Sequence, residues 1–250
     1  MFSSIKNLFG VKRSPEVFEN PFKVDLHSHL IPGIDDGVED LQEALEVVRR
    51  FVDMGYQKLI TTPHSMSHRF PNDSKTILEG CKALQRAVIA EGLPIEIEAA
   101  SEYYLDETVM DAISKRDVLT FGDNYFLFEL SHHAPMPHLH EWLHEMKLGG
   151  YQLLLAHPER YPYFFTDFSK IEALKERGVL FQLNLISLSE FYSPMVKKNA
   201  LKLLEAGMVD FVGSDAHSMH YLDALDSVLK DKRLLKRLVS NPLRNLELLS

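Results

Sequence analysis

The sequence predicts an α/β protein: a barrel of parallel strands joined by helices, with seven βα units where the common barrel has eight. Three observations carry this. Short apolar runs alternate with amphipathic helical stretches from start to finish. A chain of 250 residues, 45% of them hydrophobic, suits one such domain with a full core. Strand after strand ends in a histidine or a carboxylate, as expected where all strand ends share one face. No linker or low-complexity tract divides the chain. Residues 1–250 therefore read as one domain, with 1–20 as an N-terminal extension.

The first unit organises the rest. Lys23-Val24-Asp25-Leu26-His27-Ser28-His29 reads as a strand, followed by turns at Pro32-Gly33 and Asp35-Asp36-Gly37. Residues two apart on a strand face the same way, so His27 and His29 project together as paired metal ligands. Asp35 and Asp36, on the loop that follows, can add oxygen ligands.

A helix starts at Asp40, with Leu41, Ala44, Leu45, Val48 and Val52 on one stripe and Gly55 as its stop. The second strand is 58–61 and leads to His64; a helix spans 73–91. The third strand, 95–100, leads to Glu102, and a short helix near 107–114 follows. The fourth, 125–128, ends at Glu129, before a helix near 138–147. The fifth, 152–156, ends at His157, before a helix over 170–177. The sixth, 179–183, ends at Asn184, before a helix over 194–206. The seventh, 209–212, leads to Asp215 and His217, and the tail from Leu222 is mostly helical.

His27, His29, His64, Glu102, Glu129, His157, Asp215 and His217 thus gather at one end of the barrel. Eight such side chains exceed the needs of one ion, so two or three divalent ions follow, with Glu102 or Asp215 as the bridge. The set contains no thiolate and suits manganese, iron or zinc. A close pair of ions activates water at neutral pH and clamps the oxygens of an in-line displacement, which points to phosphoester hydrolysis.

These motifs resemble the PHP (polymerase and histidinol phosphatase) superfamily. Within it they are most similar to the bacterial metal-dependent protein-tyrosine phosphatases of capsule and exopolysaccharide clusters, the CpsB/YwqE type. The residues that carry the resemblance are Asp25-Leu26-His27-Ser28-His29 with Pro32-Gly33-Ile34-Asp35-Asp36-Gly37, Thr62-Pro63-His64, Ser101-Glu102, Phe128-Glu129, Ala156-His157-Pro158-Glu159-Arg160-Tyr161 and Ser214-Asp215-Ala216-His217. The resemblance implies a distorted seven-unit barrel with a trinuclear site, manganese being the first choice of metal. One ion would sit on His27, His29, Glu102 and Asp215. A second would sit on Glu102, Glu129 and His157, and a third on His64 and His217 with Asp35 or Asp36. Arg160 would bind the substrate phosphate. The family's second arginine is missing after His217, where His220 is the available stand-in. Independently of the resemblance, Tyr161 with Tyr163, Phe164 and Phe165 reads either as an ordinary packed loop after Arg160 or as an aromatic rim that stacks on a substrate ring. The implied partner is a phosphotyrosine protein, the cytoplasmic tail of a membrane-bound tyrosine kinase of polysaccharide export.

Other readings are weaker. A net charge of −9 argues against a general nucleic-acid binder. There is no apolar run long enough to span a membrane, and one cysteine excludes an internal disulfide; a cytoplasmic protein is expected. Met1 to Asn20 lacks the features of a secretory signal. His140-Glu141-Trp142-Leu143-His144 matches a zinc-protease pattern, but the apolar stripe of its helix leaves His140 facing out. His132, His133 and His138 read as rim residues, and Cys81 as core packing. The rival functions are a small-molecule phosphatase, such as one for histidinol phosphate, and a non-catalytic metal-stabilised binding module.

Overall fold

The computed structural model describes residues 19–249. The strands are β1 (Val24–Asp25), β2 (Lys58–Thr61), β3 (His64–Ser65), β4 (Glu96–Ala99), β5 (Glu102–Tyr104), β6 (Tyr125–Glu129), β7 (Gln152–Ala156), β8 (Leu180–Asn184) and β9 (Phe211–Gly213). Helices α1 (Leu41–Asp53), α2 (Ser74–Ala90), α3 (Glu107–Lys115), α4 (Leu139–Leu148), α5 (Pro162–Thr166), α6 (Ser169–Glu176), α7 (Pro194–Glu205), α8 (Met219–Lys230) and α9 (Lys232–Val239) lie between and after them.

All ladders are parallel, in the orders β1-β2-β4 and β3-β5-β6-β7-β8-β9. β2 runs on into β3 across Thr62-Pro63, and β4 into β5 across Ala100-Ser101. The nine segments therefore form seven strand lines, the number expected. The step at Pro63 has a local cause: proline has no N–H to give to a ladder. The seventh line returns to the first. Asp215 N–H donates to His27 O (2.8 Å), His29 N–H donates to Ala216 O (2.9 Å), and Ser28 pairs with Ala216 in a parallel bridge.

Side-chain oxygens cap several of the helix starts. Asp40 accepts from Glu43 N–H, Asp73 from Thr76 N–H, Asp106 from Val109 N–H and Ser193 from Val196 N–H. At α1 the Glu43 carboxylate reaches back to Glu39 N–H, one residue before the cap, so the reciprocal bond of a capping box is displaced by one position. α5 replaces the loop expected after Arg160. Pro162 sits in its first turn, where a fixed φ favours a helix and the missing N–H costs nothing.

Two apolar layers result. An inner one holds Val24, Leu26, Ile60, Tyr125, Leu127, Leu154 and Phe211. An outer one packs the helices against residues such as Leu59, Phe126, Phe128, Leu153, Leu155, Phe181 and Leu183. Period-two alternation divides the strands between the two layers. Below the inner layer, Asn245 donates to Val24 O and Val212 O and accepts from Val212 N–H, closing the N-terminal end. The expectation for the N-terminal extension falls, up to residue 18, outside the described residues; Asn20 is buried and donates to Met54 O.

Candidate metal centre

Strand alternation delivers most of the site. Tyr125 and Leu127 line the inner layer, and the next residue of that parity is Glu129. The same two-residue step leads from Ala100 to Glu102 and, past Gly213, from Phe211 to Asp215. On β8 it leads from Leu180 to Gln182 and Asn184. Each line is apolar below and polar at its C-terminal end, so burial of the floor forces the polar ends together.

Three overlapping groups of ligand atoms result: His27, His29, Glu102 and Asp215; His64, Glu102 and Glu129; and His29, Asp36, His64 and His217. In the first, His27 Nε2 lies 3.4 Å from His29 Nε2, 3.1 Å from Glu102 Oε2 and 3.4 Å from Asp215 Oδ1. His29 Nε2 lies 3.5 Å from Glu102 Oε2 and 3.4 Å from Asp215 Oδ1. Ligands about 2.1 Å from a tetrahedral ion sit about 3.4 Å apart, so this spacing fits a divalent cation. In the second, His64 Nδ1 lies 3.1 Å from Glu102 Oε2 and 3.3 Å from Glu129 Oε1. In the third, His64 Nε2 and His217 Nε2 each lie 3.5 Å from Asp36 Oδ1.

Buried atoms left without a hydrogen-bond partner support the fit. They include His64 Nδ1, Glu102 Oε2, Glu129 Oε1 and His157 Nδ1. Native interiors rarely tolerate such atoms unless an ion or water serves them. The donor set of imidazoles and carboxylates suits a divalent metal ion.

Further residues aim the ligands. Gln182 donates its amide to Asn184 Oδ1 (2.9 Å), which leaves Gln182 Oε1 to accept from His27 Nδ1–H (2.8 Å). Asp35 Oδ2 takes His29 Nδ1–H (2.7 Å), and Asp215 O takes His217 Nδ1–H (2.8 Å). With Nδ1 occupied, the Nε2 lone pair of each ring faces the cluster. Asp215 Oδ2 accepts from Arg160 Nη1 (2.8 Å), Asn184 Nδ2 (2.7 Å) and Tyr192 Oη (3.0 Å), which turns Oδ1 inward. Sequence reasoning missed Gln182, Asn184 and Tyr192. The available signal was polar Gln182 and Asn184 alternating in an otherwise apolar strand.

The backbone is held out of its preferred regions here. His157 (φ 35°) and Asp215 (φ 55°) are left-handed, a conformation costing non-glycine residues of order 1–3 kcal/mol. Two glycines make room. A Cβ on Gly37 would lie 2.2 Å from His29 O, and one on Gly213 would lie 2.8 Å from His27 Cβ.

The surroundings of Glu102 and Asp215 keep both side chains charged. Burial opposes charge on Glu102 and Asp215, but His27 and their other basic neighbours outweigh it and hold both well below the ordinary range. Burial likewise opposes charge on His27, yet Glu102 and Asp215 lift it to about 9, so an ion that takes its Nε2 lone pair would displace a proton. His157 goes the other way: burial, then the Arg160 charge, push it down to about 4 and leave it a neutral donor.

The expected residues fall unequally. Arg160 lines the same cleft of about 280 Å³ as His64, Glu102, Glu129, His157 and Asp215, its guanidinium 4.5 Å above the Tyr192 ring. His157 lies 2.8 Å from Glu102 Oε1 but is outside the three groups; His64 stands beside Glu102 and Glu129 instead. Asp36 joins His64 and His217, whereas Asp35 is turned to His29 and to the N–H groups of Gly37 and His64. Asp35 therefore orients His29, a candidate ligand, and stands outside the three groups. Tyr161 is not available for stacking on a substrate: it is buried, its hydroxyl accepts from Leu130 N–H, and its ring packs on His132. His220 is exposed against Phe191 and does not line the cleft. His132 does line it, stacked on His157 and 3.9 Å from Glu129. His140 and His144 are exposed on α4 and belong to none of the groups.

A sequence model of the family described as capsular polysaccharide synthesis, CpsB/CapC, matches residues 23–223. The chain belongs to the CpsB/CapC family. Among its relatives is the tyrosine-protein phosphatase YwqE of Bacillus subtilis, 29% identical over 197 residues that span 78% of each chain. The tyrosine-protein phosphatase CpsB of Streptococcus pneumoniae is 26% identical over 235 residues, 88% of this chain and 96% of that one. A solved structure from work on YwqE and CpsB, described there as metal-dependent tyrosine phosphatases, superposes with a TM-score of 0.80. It is 26% identical, over 90% of this chain and 94% of the other. A lactonase from Listeria monocytogenes, 12% identical over 90% of each chain, shares the fold alone at a TM-score of 0.54. No helix among the described residues is long and apolar enough to cross a membrane.

Proposed function

We propose that this CpsB/CapC chain is a metal-dependent protein-tyrosine phosphatase, a phosphoric monoester hydrolase. One observation carries the reading: three ligand groups share His29, His64 and Glu102 in the cleft that Arg160 lines. The activity of its named relatives supports it.

His27, His29, Glu102 and Asp215 would hold one ion, Glu102 and Glu129 would contribute to a second and Asp36 and His217 to a third, with His64 serving either the second through Nδ1 or the third through Nε2. We place manganese there first, with iron or zinc as alternatives. Such ions supply Lewis acidity and activate water at neutral pH. The chain's own part is to bind and orient. Arg160 presents a planar, permanently charged fork to the phosphate, already positioned by Asp215 and Tyr192. His132 and Tyr104 line the same cleft, where a substrate phenyl ring would lie. The proposed substrate is the tyrosine-phosphorylated tail of a membrane-bound kinase of polysaccharide export, which puts the chain in the cytoplasm. The family's description, capsular polysaccharide synthesis, supports this choice.

The test is hydrolysis of a phosphotyrosine peptide beside histidinol phosphate, with metal analysis. Turnover of the peptide should require divalent metal and stop on chelation. Glu102→Gln should lose both metal and activity. Full activity with chelator, or preference for histidinol phosphate, would refute the proposal.

A further inference from the structure

A second arginine lines the cleft, from a loop to which neither the motifs nor the family resemblance assigns a role. Arg69 lies in the turn after β3, where Met66 and Phe70 exchange backbone hydrogen bonds (2.9 and 2.8 Å) and Arg69 N–H donates to Met66 O (3.1 Å). Its guanidinium sits 4.8 Å over the Phe70 ring, and that ring stacks at 8° on His64, a candidate ligand. Its Nη2 lies 3.4 Å from Asp36 Oδ2.

This arrangement repeats that of Arg160. Asp215 points Oδ1 at the ligand group and gives Oδ2 to Arg160, which stacks on Tyr192. Asp36 points Oδ1 at His64 and His217 and gives Oδ2 to Arg69, which stacks on Phe70. Each arginine thus holds the outer oxygen of a cluster carboxylate and lines the common cleft. They differ in how firmly they are held. Arg160 is 27% exposed with a 2.8 Å contact, whereas Arg69 is 60% exposed with one of 3.4 Å. A weak, exposed ion pair contributes little and is readily exchanged for a better acceptor. A phosphate monoester carries three non-bridging oxygens with charge to spare, and a guanidinium fork takes two of them.

Resting on the phosphatase reading above, we propose that Arg69 is a second phosphate-binding residue. It leaves Asp36 to grip an oxygen of the bound phosphate opposite the fixed Arg160. The loop after β3 would then supply the second guanidinium that the segment after His217 lacks.

The experiment titrates inorganic phosphate into the manganese-loaded full chain by calorimetry, with metal content and phosphotyrosine-peptide kinetics measured alongside. Arg69→Ala should weaken phosphate binding about tenfold or more and raise KM similarly, with metal content unchanged. Arg69→Lys should recover part of the loss. Arg86→Ala, on the exposed side of α2, controls for net charge and should leave the affinity intact. Unchanged phosphate affinity in Arg69→Ala would overturn the proposal. So would a loss that only tracks falling metal content, because Arg69 would then act solely by holding Asp36. Phosphate binding that depends on Arg69, in a protein that does not hydrolyse phosphotyrosine, would support the arginine assignment and refute the phosphatase reading.

Discussion

The Arg160 guanidinium donates to Asp215 Oδ2 at 2.8 Å, on the side of that carboxylate facing away from His27 and His29. The pair joins the proposed phosphate anchor to the ligand cluster through one side chain. The loop holding Arg160 is itself tied down, since buried Glu159 accepts from Asn184 N–H (3.0 Å) and Ser187 Oγ–H (2.7 Å).

Replacing Arg160 by alanine should lower kcat/KM on a phosphotyrosine peptide by about a hundredfold to a thousandfold. That is about 2.7–4 kcal/mol, the scale for one preorganised donor. Asp215 Oδ2 would keep Asn184 and Tyr192, so metal content should hold. Arg160→Lys should rescue only partly, because an ammonium is not a planar fork. Steady-state kinetics with metal analysis decide; near-wild-type kcat/KM in Arg160→Ala would make the residue structural.

Gln182→Leu should weaken metal binding by about 10–100-fold, the usual effect of losing a partner that orients a metal-ligating histidine. The change strips His27 Nδ1 and Asn184 Oδ1 of a common partner without altering any proposed ligand. Competition against a graded chelator measures it, and an unchanged affinity would show that His27 needs no such support.

Gly213→Ala should destabilise the fold by about 1–3 kcal/mol, the range for overpacking. Its Cβ would lie 2.8 Å from His27 Cβ and 3.0 Å from Gln182 Nε2. Denaturant unfolding with chelator present isolates the packing effect, and metal content should fall as His27 is displaced. A wild-type unfolding midpoint would contradict the close approach.

Burial pushes Glu159 up from 4.5 to about 7. The folded chain then holds this proton more tightly than the unfolded one. Its contribution to stability is full below about pH 4.5 and is lost as the pH rises towards 7. The shift corresponds to roughly 3 kcal/mol when complete. Glu159→Gln keeps an acceptor for Asn184 and Ser187 and has no proton to lose. Relative to wild type it should gain stability between pH 4.5 and 8, read as a growing difference in Tm with chelator in both samples. Parallel profiles would show that Glu159 ionises freely in the fold.

Periodicity and residue type made the helices and the polar strand ends legible. Capping aspartates, glycine stops and two-residue alternation act within a few residues, so the chain displays them directly. His27, His29, Glu102 and Asp215 were readable as members of one larger gathering of strand-end side chains, because an apolar floor must be buried beneath them, while their grouping as a set of four was implied by the family resemblance. Tertiary structure alone decided the sharing of the rest. The left-handed turn at His157 places it against Glu102 and outside the groups, while His64 stands between Glu102, Glu129 and Asp36. Which of Asp35 and Asp36 meets His217 depends on how one loop folds back over His29. The same holds for buried Tyr161, outlying His220, the supports Gln182 and Asn184, and the place of Arg69 at the cleft. Their roles rest on contacts between distant segments, on distances of a few ångströms that strand register and loop path create. Residue type states only what a side chain can do, and these positions determine what it meets.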